Sequence, residues 1–175
     1  MMRILQKKTK QFLGTIELPD GRVYISDPAY CPGTWCQGFL NNLKPGKYHG
    51  FINTAEVLGW GNRVTDIWIA HEDNVKSYPK KVMTGVDIGV DSGSAGIFDA
   101  DYYEKYHPAY GVDSEWYDRQ FDLRYDPADP DKEHPGITLD NRCVISFSGV
   151  GDGSYTLYAA KNAEGKVISV RIRFI

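Results

Sequence analysis

The residues with the strongest claim to chemistry lie in one stretch, Asp87-Ile88-Gly89-Val90-Asp91-Ser92-Gly93-Ser94-Ala95-Gly96-Ile97-Phe98-Asp99-Ala100-Asp101. Strand alternation puts Asp87 and Asp91 on the face opposite Val86, Ile88 and Val90. A Ser-Gly-Ser turn can then fold the chain so that Asp99 approaches them, and carboxylate oxygens gathered in this way suit a hard divalent cation. Asp27, in Ser26-Asp27-Pro28-Ala29-Tyr30, and Asp152, in Ser148-Gly149-Val150-Gly151-Asp152-Gly153-Ser154, can join from elsewhere. Asp27, Asp91, Asp99 and Asp152 therefore define one reading, a metal-dependent hydrolase in which the cation generates a nucleophilic water and one carboxylate serves as general base. Against it, the spacing does not match the alternating acids of a calcium loop. Local roles explain the same residues: Asp27 in an Asx turn, Asp91 accepting amides of its own turn, Asp99 capping a helix that starts at Ala100. For Asp91 and Asp99 the local roles are preferred.

Other candidate chemistries are less complete. Gly93-Ser94-Ala95-Gly96 is one residue short of a nucleophile elbow, and none of His49, His71, His107 and His134 is marked by spacing as its base. Cys31 and Cys36 enclose four residues with no second cysteine pair, which argues against a zinc site. The glycine loop at 148–154 opens a strand, whereas phosphate-cradling loops open a helix whose free amides meet the phosphate. It reads as a turn or bulge between strands.

The elements that must position these residues are mostly strands. Ile168, Val170, Ile172 and Phe174 alternate with Ser169, Arg171 and Arg173, the period of a strand with one buried face. Before it, Tyr155–Ala160 and the turn residues Asn162-Ala163-Glu164-Gly165 complete a hairpin. Further strands fit Phe12–Leu18, Arg22–Ser26, Lys47–Val57, Val64–His71, Val82–Asp91 and Cys143–Ser148. Two helices fit Ala100–Tyr106 and Ser114–Leu123, the second with Asp113 or Ser114 as N-cap and with Trp116 and Phe121 inward. Arg124–Gly136, with three prolines among acids and no apolar anchor, reads as an exposed loop. The expected fold is mainly β, an antiparallel sandwich or strongly bent sheet with one or two short helices, in a single domain over residues 1–175.

Composition sets the class. A chain of 175 residues with 42% hydrophobic and 25% charged side chains is of globular type, which excludes collagen-like, coiled-coil and wholly disordered readings. No apolar run is long enough to span a bilayer as a helix, so no membrane partner is expected. A formal charge of −3 argues against nucleic acid bound through a dominant basic surface. The N-terminal residues turn polar too early for a secretory signal, and three cysteines cannot all pair, so a cytoplasmic setting with reduced thiols is expected.

Ile25-Ser26-Asp27-Pro28-Ala29-Tyr30, Gly61-Asn62-Arg63-Val64, the stretch from Val90 to Asp99 and Gly151-Asp152-Gly153-Ser154-Tyr155 together resemble an uncharacterised family, a domain of unknown function scattered through phage and bacterial genomes. The resemblance runs from about Val23 to Ile175 and carries no assigned activity. It implies a phage- or bacterium-encoded accessory factor, of the kind that engages host machinery.

With no complete nucleophile–base or metal-ligand pattern, the leading expectation is a binding protein without catalysis or cofactor. It would engage a host protein or a small ligand, as a counter-defence factor; the divalent metal ion belongs only to the hydrolase alternative. Four tryptophans, twelve tyrosines and seven phenylalanines supply contact area with polar handles. The expected docking segment joins Tyr102, Tyr103 and Tyr110, read as solvent-reaching, to the acidic Asp126, Asp129 and Asp131, read as steering a basic partner.

Overall fold

The computed structural model describes residues 2–106, 115–126 and 129–175, with the backbone alone for 84, 125, 126 and 129–132. The chain runs through β1 (Thr9–Leu18), β2 (Val23–Ser26), β3 (Gly38–Leu40), β4 (Gly46–Val57) and β5 (Gly61–His71). After a short 3-10 turn, Glu72–Asn74, come β6 (Lys81–Val90), β7 (Ser94–Asp99), α1 (Ala100–Tyr106) and α2 (Glu115–Asp122). The remainder is β8 (Tyr125–Asp126), β9 (Asp129–Glu133), β10 (Gly136–Leu139), β11 (Cys143–Phe147), β12 (Gly153–Lys161) and β13 (Val167–Arg173). A six-stranded sheet has the order β1-β4-β5-β13-β12-β6 and a five-stranded sheet the order β10-β11-β7-β2-β3, while β8 and β9 form a separate ribbon. Every strand pair is antiparallel. The mainly β expectation holds, in its sandwich form.

Burial of the two facing sheets drives this arrangement. Ile16, Ile52, Ile67, Ile69, Leu157, Val170 and Ile172 from the large sheet pack with Val23, Ile25, Ala95, Ile97 and Val144 from the small one, all at most 1% exposed. Each such side chain contributes about 1.5–3 kcal/mol on leaving water. The sheets approach so closely at Gly50 that a Cβ there would lie 2.4 Å from Val144 Cγ1. A second layer covers the outer face of the small sheet, where Phe98, Leu139, Cys143 and Ile145 meet Tyr102, Tyr103 and Trp116 of the two helices. A third lies on the outer face of the large sheet, where Phe51, Trp68 and Ala70 pack with Val75 and Tyr78 of the segment leading into β6.

The C-terminal hairpin forms as read, β12 against β13 with Gly165 at φ +79° in the turn. Its last strand is buried on both faces. Ser169 and Arg171, expected outward, are 0% and 8% exposed because residues 77 and 78 cross over them: Ser169 Oγ donates to Ser77 O at 3.0 Å and Arg171 donates to the Tyr78 hydroxyl. Ser94–Asp99, to which no strand was assigned and whose first residue reads as part of the Ser-Gly-Ser turn, is a fully buried strand pairing β11 on one side and β2 on the other. Arg124–Gly136 is likewise no open loop. It contains β8 and β9, and Arg124 at its start has no exposed surface. Asp113 and Ser114, the expected cap of α2, lie outside the described residues. Cys31, Cys36 and Cys143 are free thiols. Among the described residues no helix is long and apolar enough to cross a membrane.

Candidate functional site

Ser26 ends β2, and Asp27, fully buried, directs the turn that follows. Its Oδ1 accepts the Ala29 N–H at 2.7 Å, the expected Asx turn. The carboxylate also reaches the β6–β7 connection. Oδ2 accepts the backbone N–H groups of Asp91 (2.8 Å) and Ser92 (2.7 Å), and Oδ1 accepts the Ser92 hydroxyl at 2.7 Å. A carboxylate offers about four lone-pair positions, and four donors occupy them.

The braced turn holds the next element in place. Gly93 O accepts the Ser148 N–H at 3.0 Å and Gly93 N–H donates to Asp152 Oδ1 at 3.1 Å, so the glycine loop is fastened at both ends. Within it, the Ser148 hydroxyl donates to Gly151 O at 2.7 Å, and the Tyr155 hydroxyl lies 2.5 Å from Gly151 O and 3.0 Å from Ser148 O. Gly149 adopts φ +73°, and a Cβ there would lie 2.9 Å from Val64 O of β5. The loop is thus a rigid wall, packed on the neighbouring strand by virtue of having no side chain.

Between this wall and the β4–β5 turn lies a cleft of about 580 Å³, lined among others by Trp60, Arg63, Gly93, Glu133, Phe147 and Gly149. That size lies within the range of small-ligand sites, roughly 300–1,000 Å³. Trp60 is 47% exposed, an apolar surface open to solvent. The Arg63 guanidinium is also exposed and donates to Asn62 O at 3.1 Å. No carboxylate lies within 4.0 Å of it among the described residues. The arrangement offers an anion-binding cation beside an aromatic surface, with the Glu133 carboxylate also on the lining.

A model of the family described as Protein of unknown function (DUF4241) matches residues 16–172. The chain belongs to this family. The DUF4241 match begins in β1 and ends in β13, so it takes in both sheets and the segments that frame the cleft. No curated protein and no solved structure matches the chain. The family resemblance read from four short motifs is thus shown, and three of those motifs, around Arg63, Gly93 and Gly151, meet at this cleft.

The four aspartates of the hydrolase alternative divide. Asp27 and Asp152 both hold the 91–93 turn. Asp91, expected to accept the amides of its own turn, does not: Asp27 accepts them, and Asp91 instead accepts the Tyr30 hydroxyl. The Tyr30 hydroxyl is shifted up, by burial first and then by that carboxylate. Asp99 stands at the far end of β7, five residues beyond Ser94 and so roughly 16 Å along the strand. It caps α1 as expected, accepting the Tyr102 N–H at 3.0 Å, and pairs with Arg142 at 2.5 Å. Among the described residues no three His, Cys, Asp or Glu side chains are grouped to hold a metal ion.

The expected docking segment needs correction. Tyr102 and Tyr103 do not reach solvent: they are 5% and 0% exposed. The sequence around them is poor in apolar residues, but the fold supplies neighbours from elsewhere. Tyr103 stacks on Phe98 of β7 at 4.5 Å, and its hydroxyl donates to Tyr30 O. The Tyr102 hydroxyl donates to Asp140 at 2.7 Å and accepts from the Trp116 indole at 2.8 Å. Burial, the largest cause, pushes both hydroxyls up. Tyr106, 47% exposed, is the outward aromatic of α1. Tyr110 lies outside the described residues, as do the side chains of Asp126, Asp129 and Asp131.

Among the described residues, Arg124 and Asp66 are buried charges that the sequence reading did not single out. Arg124 sits between the rings of Phe121 (4.6 Å) and Phe147 (4.3 Å) and donates to Ser94 Oγ at 2.9 Å. Helical spacing carried part of the signal, since Trp116 and Gln120 of α2 fall four apart and Arg124 continues that spacing just past the helix end, and all three are buried. Asp66, also without exposed surface, accepts from Lys8 (2.9 Å), Asn53 (2.8 Å), Thr65 (2.8 Å) and Tyr78 (2.7 Å). Within an apolar strand only its charge set it apart.

Proposed function

We propose that the protein is a binding protein without catalysis, and that the cleft beside Arg63 takes the carboxylate or phosphate of a small ligand or of a host protein's segment. What supports this is the pairing of a preformed wall, braced from Asp27 through Gly93 to Gly149, with an exposed guanidinium that has no carboxylate partner among the described residues. A rigid site avoids part of the ordering cost of binding. The wider role, a phage- or bacterium-encoded factor that engages a host component to counter defence, is proposed with it and draws only on the family resemblance of the sequence. The test is capture from host lysate followed by mass spectrometry, run with the wild-type protein and with Arg63→Ala and Trp60→Ala. Both side chains are exposed, so folding should survive. A ligand retained by the wild type and lost by both variants is the expected result. Equal capture by all three would remove the cleft from the proposal.

A further inference from the structure

The large sheet ends at β6, and half of that edge is irregular. Pairing with β12 runs as far as Thr156↔Asp87 and resumes only at Tyr158↔Val82, so residues 83–86 stand opposite Leu157 alone. Beside this bulge is a groove of about 700 Å³ with an apolar lining that includes Val82, Met83, Val86 and Ala160. Val82 is 46% exposed, unusual for valine in a strand. Lys80, Lys81 and Lys161 also line it. Across Tyr78 lies a smaller hollow, about 360 Å³, lined by Lys8, Lys10 and Lys76 among others. Of these six lysines only Lys8 has a carboxylate within 4.0 Å among the described residues, although the chain as a whole is acidic.

Lysines beside a sheet edge have a simple use, since they deter pairing with another chain. That accounts for Lys80 and Lys81. It leaves unexplained the apolar hollow next to them, and the cation contributed by β12. Lysines with no carboxylate partner among the described residues, set around an apolar groove, are complementary to an anionic headgroup on a hydrocarbon body. The nearby aromatics do not offer open stacking surfaces for bases: Tyr78 on the lining is half-buried between the Arg171 guanidinium and Trp68, and Phe51 and Trp68 are 4% and 2% exposed with Lys10 over both rings. We propose that this groove is a second binding site, distinct from the Arg63 cleft, for an acyl-chain carboxylate: the chain on Val82, Met83, Val86 and Ala160, the carboxylate among Lys80, Lys81 and Lys161.

Titration calorimetry with three probes tests this: decanoate, decanol with the same chain and no charge, and butyrate with the charge and little chain. Decanoate should bind the wild type with roughly tenfold or greater preference over either of the others. Lys80→Gln/Lys81→Gln should weaken decanoate roughly tenfold and leave decanol unchanged. Ala160→Phe, which fills the groove, should abolish both. Arg63→Ala should bind decanoate as the wild type does, which keeps this site separate from the cleft. Equal affinity for decanoate and decanol, an unaffected lysine variant, or a short acidic peptide displacing decanoate at lower concentration than decanoate itself binds would overturn the proposal. If Ala160→Phe does not fold, the lysine variant, altered only at exposed positions, carries the test.

Discussion

Ser92 gives both of its donors to Asp27, its N–H to one carboxylate oxygen and its hydroxyl to the other, each at 2.7 Å. Two turns far apart in sequence are thereby tied through one buried side chain, with Gly93 and the glycine loop fastened to the result.

Asp27→Ala removes an acceptor from four donors at once. An unsatisfied buried donor costs about 1–3 kcal/mol, so the variant should lose about 3 kcal/mol or more, while Ser92→Ala, which leaves the N–H bonds, should lose about 1 kcal/mol. Urea unfolding of both variants measures this. A loss below that of Ser92→Ala would mean that Asp27 does not brace the turn.

Because no lone pair of Asp27 is open, a divalent cation could enter only by displacing one of its donors. Millimolar Mg²⁺ or Mn²⁺ should therefore leave the melting temperature unchanged, since an ion that does not bind the native state adds nothing to its stability. A clear rise, lost in Asp91→Ala, would restore the hydrolase alternative.

Asp140 opens the β10–β11 turn at φ 50° and accepts both Arg119 guanidinium nitrogens, at 2.7 and 3.0 Å. Those bonds, chiefly, hold its carboxyl below the ordinary value. Its folded value being depressed, its contribution is complete above the unfolded value near 4 and is lost as pH falls through the folded one. Asp140→Asn keeps a residue suited to positive φ. It should cost about 0.5 kcal/mol at pH 7, screened by solvent, and the gap from wild type should close in acid. Unfolding curves at pH 7 and pH 3 decide it; a gap independent of pH would mean that the ion pair contributes nothing.

Gln120 is fully buried, and neither its amide nitrogen nor its carbonyl oxygen has a hydrogen-bond partner among the described residues. Gln120→Met keeps the shape and removes the two unsatisfied atoms, so it should raise stability by about 1 kcal/mol. Destabilisation in chemical unfolding would mean that the amide is bonded in solution.

Strands with an internal period were legible in advance, and so was α1, whose bounds match the expected Ala100–Tyr106. Ser94–Asp99 was not, because it has no internal alternation and follows a Ser-Gly turn directly, and only pairing on both sides makes it a strand. Asp27 could be named as an Asx residue, whereas its hold on Ser92, a contact 65 residues away, depends on tertiary structure alone. The same limit produced the error over Tyr102 and Tyr103. Local composition suggested exposure, and the burying surfaces came from β7 and α2.

Ser169 is paired with Ala70 in the middle of the large sheet, where β13 fits between β5 and β12. The layer closes only when β13 finds β5, a partner far back along the chain, as well as its hairpin neighbour β12. Such long-range closure is slow, and until it is made a partly folded chain is exposed to aggregation.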